Sequence, residues 1–285
     1  MVDGFSGSSF TRRNDIIEEL PERPSRAALA WRDLADGALK SWMWTALALQ
    51  DIKLRYRGSV LGPWWLSITT SVMAVTISLV YAHLFSMSAA IYLPYVTIGL
   101  VVWQLISGLV TEACETFLRA QPIIEQVPLP FSIHAYRGVC RQLMVFAHNC
   151  AMVPVVLIAT RTAVDWRILE AVPAVAVLAV NGLWVSILLG MLSARFRDIP
   201  PIIGSLLQVG FLLTPVFWPI EALGDWVPMA AFNPIFAAID VVRAPLLGIP
   251  TGANSWIVLL SSTTLGWLIT YALFARFRMR IAYWI

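Results

Sequence analysis

Long runs of apolar residues, separated by short charged segments, dominate the hydropathy pattern of the chain. Residues 58–111 contain no Asp, Glu, Lys or Arg, and this stretch can hold two membrane-crossing helices of roughly 20 residues each with a tight turn between them. Four further stretches share this property and hold one helix each: residues 142–160, 171–194, 199–220 and 244–275. The runs are continuously apolar rather than alternating, which favours helices over a β-barrel. The pattern predicts an all-α polytopic membrane protein with six transmembrane helices.

A shorter amphipathic pattern precedes the first apolar run. Between residues 31 and 46, apolar side chains recur every three or four positions, and charged residues such as Asp33 occupy the opposite side of the helix. We expect this helix to lie in the membrane interface. The helix and the basic segment that follows it make up residues 26–60, ahead of a transmembrane domain at residues 61–285. The composition of residues 1–25, rich in Gly, Ser, Pro and charges, predicts a disordered cytoplasmic lead.

The segment between the fifth and sixth predicted spans is unusual. Residues 220–255 are too apolar for a solvated loop, yet prolines interrupt them at 228, 234, 245 and 250. Backbone that does not span the membrane is tolerated at that depth only where it packs on protein or lines a cavity. We therefore expect two short re-entrant helices here, on the side of the membrane opposite the termini; the family resemblance described below implies that they form an outer gate.

The basic residues predict the orientation of the chain. Grouped by the six-span topology, all but three of the 20 Lys and Arg residues fall on the side that holds both termini. The three exceptions are Arg161, Arg167 and Arg243. The positive-inside rule then places both termini in the cytoplasm. The net charge of +3 follows from this asymmetry and does not indicate a nucleic-acid partner.

The sequence lacks the motifs of several catalytic classes. Lysine occurs only at Lys40 and Lys53, and neither follows a glycine, so there is no GK[ST] loop to cradle a nucleotide phosphate. His83, His134 and His148 show no metal-ligand spacing. Ionisable residues of the kind that proton-coupled transport requires are scarce within the spans. These gaps disfavour an enzyme and predict a pore or gate that a separate motor drives.

Motifs in collinear order over residues 31–285 resemble those of one family, the membrane subunits of ABC exporters that move O-antigen, capsule and related polysaccharides. The matching segments are WRDL at 31–34, DIKLRYRGSVLG at 51–62, IIEQVPLP at 123–130, RFRDI at 195–199, TPVF at 214–217, NP at 233–234, and Arg243 with LLG at 246–248. The resemblance implies two copies of this chain, two ABC ATPase subunits that carry ATP and Mg²⁺, and a lipid-linked glycan substrate. The chain itself then holds no cofactor. One departure is Glu125-Gln126, where the family often has a basic pair.

Four groups of candidate site residues follow from the resemblance and from the chemistry of sugars. The ATPase-coupling set is Arg119, Ile123, Ile124, Glu125 and Gln126. The set at the cytoplasmic mouth, which either braces the mouth or anchors helix ends at lipid headgroups, is Arg55, Arg57, Arg195, Arg197 and Asp198. Sugar rings stack on aromatic faces without demanding one hydrogen-bond pattern, so the path is predicted at Tyr81, Tyr92, Tyr95, Trp103, Trp184, Phe211 and Phe217, each with core or lipid packing as its alternative. The outer gate set is Trp226, Phe232, Asn233, Asp240 and Arg243.

Two charge pairings are expected within these groups. Asp240 and Arg243 are three residues apart and can pair, either to hold the outer gate shut or as an exposed pair of little energetic weight. Glu112 and Glu115 oppose the helix dipole at the inner end of the second span. Their position predicts a compensating basic partner, and Arg119 is the nearest in sequence.

The sequence favours one function and leaves alternatives open. The favoured function is the permease subunit of an ATP-driven polysaccharide exporter in a bacterial cytoplasmic membrane. A drug or lipid exporter of the same architecture is the first alternative. A membrane-embedded glycosyltransferase or acyltransferase and a purely structural scaffold are alternatives from other classes.

Overall fold

The computed structural model describes residues 24–62, 64–85 and 87–285. No strand occurs in these three ranges, so the all-α prediction is confirmed. The α-helices, in chain order, are α1 Arg26–Leu39, α2 Ser41–Arg55, α3 Trp64–Leu84, α4 Ala89–Glu115, α5 Gln121–Gln126, α6 Ser132–Cys150, α7 Met152–Ala159, α8 Ala171–Arg195, α9 Ile199–Leu213, α10 Val227–Ala231, α11 Pro234–Leu246, α12 Ala253–Phe277 and α13 Ile281–Trp284. Short 3-10 helices lie at Trp166–Glu170, Ile220–Trp226 and Arg278–Arg280. Residues 1–23, which hold nearly all of the predicted disordered lead, lie outside the described residues.

Five of the predicted spans are present as long apolar helical segments. These segments, each able to cross a membrane, are Trp64–Leu84, Ala89–Glu115, Ser132–Ala159, Trp166–Arg195 and Ala253–Trp284. The helix of the predicted fifth span, α9, has only 15 residues, and at 1.5 Å per residue it is about 22 Å long, against roughly 30 Å for the hydrocarbon core. The described chain therefore has five full spans, or six if the bent pair α10–α11 crosses as one.

Prolines set both ends of α9. Pro200 lies in its first turn, where the missing amide hydrogen costs nothing, as predicted. At the other end Pro215 prevents continuation, and the preceding Thr214 adopts an extended ψ of 137°. The chain then runs without regular structure through Trp218. We refer to residues 214–218 as the post-α9 segment.

Two short helices joined by a sharp bend occupy the proline-rich region, as expected. The helical stretch Ile220–Ala231 and α11 meet at 113°, which fits either a broken span or a re-entrant pair. The bend is stabilised locally because the Asn233 side chain accepts a hydrogen bond from the Ile235 amide at 2.9 Å and Pro234 occupies the first turn of α11.

The core of the bundle is built around α4. This helix packs against α3, α6, α8 and α11, and its side chains Tyr92, Val96 and Ile98 are almost completely buried. Glycines allow other helices to approach closely, since a Cβ at Gly182 would lie 2.8 Å from Leu109. Such small residues are typical of helix contacts inside membranes.

The predicted amphipathic helix is two helices rather than one. α1 and α2 are separated at Lys40, whose ψ of 41° is not helical. Trp31 and Trp42 remain 64% and 71% exposed, so apolar surface is available to a membrane interface. Asp33, which the periodicity places on the polar side, is instead 4% exposed and therefore buried.

The connecting segments cluster at two ends of the bundle. At one end, side chains of α1, α5, α8 and α13 share a hydrophobic cluster with Phe117 and Phe274. We call this the basic end. At the other end, Met87, Thr160 and Leu247 line a common cavity. We call this the opposite end.

Candidate functional site

The predicted coupling segment is a short helix, α5, that packs against the rest of the bundle. α5 ends at Gln126, and the next residue, Val127, is extended and directly precedes Pro128. Glu125 and Gln126 are exposed on it, as a docking surface requires. The helix does not project freely, because Ile124 packs on a cluster that includes the fully buried Phe117. The helix is therefore held against the bundle.

The C-terminal residues provide much of this support. Ile281 of α13 is completely buried, and Trp284 and Ile285 pack on the same cluster as Ile124. The tail therefore forms part of the surface on which α5 packs.

Asp33 joins three segments at the basic end. Its carboxylate accepts hydrogen bonds from the backbone amides of Phe131 at 3.2 Å and Ser132 at 3.0 Å, which are the free donors at the start of α6. The Ser132 hydroxyl donates to the Asp33 carbonyl at 2.6 Å. Arg278 completes the junction with a 2.8 Å salt bridge to the same carboxylate. The chain immediately after the coupling segment is thus tied to α1 and to the tail.

A second polar junction centres on Asp51 of α2. Arg137 donates two hydrogen bonds to its carboxylate, at 2.8 and 2.5 Å, and Arg141 donates a third at 2.5 Å. Burial raises the pKa of Asp51, but the two guanidinium groups outweigh burial and lower that pKa below its usual value. Asp51 is therefore ionised and holds α2 against α6.

The same junction extends to the coupling segment. Arg141 also pairs with Glu112, which is 6% exposed at the end of α4 and accepts a hydrogen bond from Gln142 at 3.2 Å. Arg119 pairs with Glu115 and lies 3.4 Å from Glu112. The prediction that Arg119 compensates these two carboxylates is confirmed. Arg141, which the sequence analysis did not single out, is the more buried partner.

The predicted mouth residues do not form one group. Arg55 lines a cavity of about 550 Å³ beside the Asp51 junction. Arg57, Arg195 and Arg197 are exposed, and none of them lines that cavity. The Arg195 guanidinium instead lies 5.3 Å from the centre of the Phe196 ring. Asp198 is exposed and directly precedes α9.

Six of the seven aromatic residues predicted along the path are brought together. Ring-to-ring distances of 5.3 Å for Tyr81–Phe217, 5.5 Å for Phe211–Phe217 and 5.3 Å for Trp103–Phe211 connect α3, α9 and α4 through the post-α9 segment. Tyr92 and Tyr95, 6.2 Å apart, extend the series. We call this set the aromatic series. Its members are Tyr81, Tyr92, Tyr95, Trp103, Phe211 and Phe217.

Trp184 does not belong to the aromatic series. Its indole nitrogen donates to Asn181 at 2.8 Å, and its ring packs against Gly266 of α12, where an added Cβ would lie 2.3 Å away. Trp184 therefore packs between helices, and its assignment to the path stays a prediction.

Arg243 fixes the post-α9 segment and does not pair with Asp240. The Arg243 side chain is buried, at 3% exposure, and donates to the carbonyls of Pro215 at 3.0 Å and Val216 at 3.2 Å. It also stacks 4.0 Å above the Tyr95 ring. Asp240 accepts a 2.6 Å hydrogen bond from Ser255 instead. The expected ion pair is therefore wrong, because the free carbonyls of an irregular segment are better placed for the guanidinium.

Of the remaining predicted gate residues, Asn233 is hydrogen-bonded to the post-α9 segment, and Trp226 and Phe232 are not. The Asn233 amide donates to the Thr214 hydroxyl at 3.2 Å, which links the bend before α11 to the end of α9. The tyrosine hydroxyls of the aromatic series also donate to the segment, Tyr92 to the Phe217 carbonyl and Tyr95 to the Trp218 carbonyl at 3.1 Å. Trp226 and Phe232 are 65% and 70% exposed and make no such contact.

Comparison with known proteins now assigns the architecture. Residues 44–247 match the sequence profile of the ABC-2 type transporter family. The chain belongs to this family. An O-antigen export system permease protein RfbA from Myxococcus xanthus is 24% identical over 206 residues, which cover 70% of this chain and 78% of that protein. A protein of the same name from Klebsiella pneumoniae is 23% identical over 203 residues, or 67% of this chain and 74% of that protein.

The family match divides the structural features of this ABC-2 permease into two sets. The Asp51 junction, α5, the aromatic series and Arg243 all lie inside residues 44–247. Asp33 and the tail from Arg278 lie outside it. The chain is thus a multi-pass membrane permease of a transporter family, and part of the support beneath α5 comes from residues beyond the matched region.

Proposed function

We propose that this chain is the membrane subunit of an ATP-driven exporter that moves a lipid-linked polysaccharide, such as O-antigen or capsule, across a bacterial cytoplasmic membrane. The observation that carries the proposal is the aromatic series, which runs from α3 through the post-α9 segment to α4. Tyr92 and Trp103 are buried, whereas Tyr81, Tyr95, Phe211 and Phe217 are partly exposed. Aromatic faces hold sugar rings without fixing one orientation, so a polymer can slide along the exposed faces. The names of the relatives support the same substrate class.

The driving force comes from a separate ATPase. The chain has no GK[ST] motif, whereas α5 presents Glu125 and Gln126 on a supported platform. Movement of α5 reaches α4 and α6 through Arg119 and Glu112, and reaches α1 through the start of α6. The partner is an ABC ATPase subunit in two copies, each of which holds ATP and Mg²⁺.

Two copies of the permease enclose the path. None of the residues of α9 is buried in the single chain, and Ile202, Leu206 and Val209 are more than half exposed. A second copy that packs near α9 places two aromatic series face to face across the polymer. The positive-inside rule orients the basic end, with both termini, toward the cytoplasm.

Export of a smaller lipid substrate is the second candidate function. An apolar cleft of about 500 Å³ lies between α4, α8 and α12, and Leu178, Leu188 and Ile269 are among its lining residues. This cleft suits an acyl or prenyl chain. It fits the lipid carrier of a glycan as well as a free lipid, and the experiment below separates the two.

The test is crosslinking combined with export. In a variant without the three native cysteines, a cysteine at Gln126 is expected to crosslink to the ABC ATPase subunit, and a cysteine at Thr162, at the opposite end, is not. In cells that lack this gene, the unaltered gene is expected to restore surface polysaccharide, and the gene carrying Phe211→Ala is not. Absence of crosslinking at Gln126 contradicts the coupling assignment, and intact polysaccharide export with Phe211→Ala contradicts the role of the aromatic series. Surface polysaccharide that is unchanged in cells without the gene favours the lipid candidate.

A further inference from the structure

Two adjoining cavities at the basic end form a single charged and polar recess. The first, of about 550 Å³, lies between α2, the end of α4 and α6. The second, of about 340 Å³, continues along α4 toward Gln104. Arg55, Glu112, Glu115 and Arg119 line both. The combined size is that of a small-molecule site.

The first cavity carries more positive than negative charge. Four arginines line it, at 55, 119, 137 and 141, against the three carboxylates Asp51, Glu112 and Glu115. Every one of these carboxylates is already engaged by an arginine. Among the described residues, Arg55 has no such acidic partner, so its guanidinium is available to another anion.

Two residues that line the first cavity carry buried nitrogen atoms without hydrogen-bond partners. His134 lines the first cavity and is 3% exposed, yet neither of its ring nitrogens has a hydrogen-bond partner within the described ranges. The Nε atom of buried Arg141 lacks one too. Buried polar groups without partners are rare in folded proteins, and here they belong to residues that line the first cavity. Their chemistry favours an anion with several oxygens, such as a phosphate or diphosphate.

The second cavity has a different character. Apart from the four shared charged residues, its polar lining is neutral and consists of Gln104, Ser107, Thr111, Gln142 and Asn149. The amides of Gln104 and Asn149 bond to each other at 2.7 Å, which fixes them in place. Thr111 is exposed to the recess with no hydrogen bond of its own in the described part of the chain. Fixed amides and hydroxyls are suited to the hydroxyl groups of a sugar.

We propose that this recess binds a phosphate-linked sugar, with the phosphate or diphosphate at Arg55, Arg137 and His134 and the first sugar residue beside Ser107 and Thr111. The inference rests on the proposed function and assigns a loading site, distinct from the aromatic series, for the end of a lipid-linked glycan. The side chain of Arg119 is 52% exposed and that of Glu115 37%, so the recess is open for loading. An anionic phospholipid offers the same phosphate chemistry and is the competing source.

The test is binding to the purified protein in nanodiscs of zwitterionic phosphatidylcholine. The probes are a polyprenyl diphosphate carrying one N-acetylhexosamine, the same polyprenyl diphosphate without sugar, and phosphatidylglycerol, each counted by native mass spectrometry. We expect the sugar-bearing probe to bind about tenfold more tightly than phosphatidylglycerol. Arg55→Gln is expected to weaken it about tenfold through loss of one charge-assisted contact, whereas Lys53→Gln, on the same helix but outside the recess, binds as the unaltered protein does.

A variant at Thr111 tests the predicted contact with the sugar. Thr111→Val keeps the shape of the side chain and removes the hydroxyl, so it is expected to reduce the advantage of the sugar-bearing probe over the sugar-free one. Unchanged binding with Arg55→Gln overturns the site, and equal binding of phosphatidylglycerol assigns it to membrane phospholipid instead. The proposed function is tested independently of the binding experiment, by measuring surface polysaccharide in cells that carry the unaltered gene. Export without Arg55-dependent binding refutes only this inference.

Discussion

Replacing Arg243 with Gln tests how the post-α9 segment is held. The guanidinium makes two charge-assisted hydrogen bonds to backbone carbonyls, at 3.0 and 3.2 Å, and such bonds are worth roughly 1.5–3 kcal/mol each. The stacking on Tyr95 adds about 2 kcal/mol where the cation is desolvated. A Gln is shorter, uncharged and able to replace at most one of these bonds. After relaxation of the segment, we expect Arg243→Gln to lower the free energy of unfolding by about 3 kcal/mol.

The measurement is unfolding in mixed micelles with increasing SDS, followed by tryptophan fluorescence. The matched control is Arg167→Gln, at the opposite end as well, because the Arg167 side chain is 36% exposed and its contacts are long, at 3.4 and 3.6 Å. We expect this control to change stability by less than about 0.5 kcal/mol.

A second readout locates the effect of Arg243→Gln. Val216 is completely buried beneath the guanidinium, so a cysteine at this position is expected to resist a membrane-permeant thiol reagent until Arg243 is replaced. A loss of stability below about 1 kcal/mol, together with a Val216 cysteine that stays protected, refutes the assignment of Arg243 as the anchor of this segment.

Three further predictions concern the other contacts. Asp33→Asn keeps the shape of the side chain but removes its charge. Crosslinking from a cysteine at Gln126 to the ATPase is expected to fall several-fold, while the amount of protein in the membrane is unchanged. Undiminished crosslinking excludes Asp33 as a positioning residue. The arginines beside Asp51 lower its pKa, so the carboxylate stabilises the fold at pH values above the unfolded-state pKa near 3.9, and this contribution is lost as the pH falls through the lower folded-state pKa. The stability difference between the unaltered protein and Asp51→Asn, measured by thermal unfolding in detergent, is therefore expected to shrink below about pH 4. A difference that stays constant with pH contradicts this assignment. Finally, Trp103→Leu is expected to reduce glycan export much more than Trp184→Leu at equal protein levels, and equal export by the two variants removes the distinction between the aromatic series and Trp184.

The sequence predicted features that depend on local chemistry. Gaps in the charge pattern located the long spans, because a lipid environment excludes charged side chains over the whole length of a helix. Pro128 and Pro215 follow the ends of α5 and α9 because proline removes a backbone donor and restricts the residue before it, and this effect can be read from the sequence. The pairing of Arg119 with Glu115 follows from helical geometry over one turn.

Features that depend on contacts between distant segments were not predicted. Asp33 looked like a solvated residue in an amphipathic helix, because its partners at Ser132 and Arg278 are far away in the sequence. Arg243 was assigned to the nearby Asp240, because the irregular backbone that it holds becomes visible only in three dimensions. Trp184 joined the predicted path on residue type alone, and residue type does not distinguish a side chain that packs on Gly266 from one beside a path.

The most direct test of the account is transport in proteoliposomes that contain this chain and its ATPase partner. A polyprenyl diphosphate-linked glycan is supplied outside, and its arrival in the lumen is measured by protection from an added glycosidase. The account predicts that protection requires ATP, the ATPase and this chain together, and that Phe211→Ala abolishes it. The central claim is that this permease transports glycans with energy from a separate motor. Protection that develops without the ATPase contradicts it. ATP hydrolysis by the assembled complex with no movement of glycan contradicts it as well.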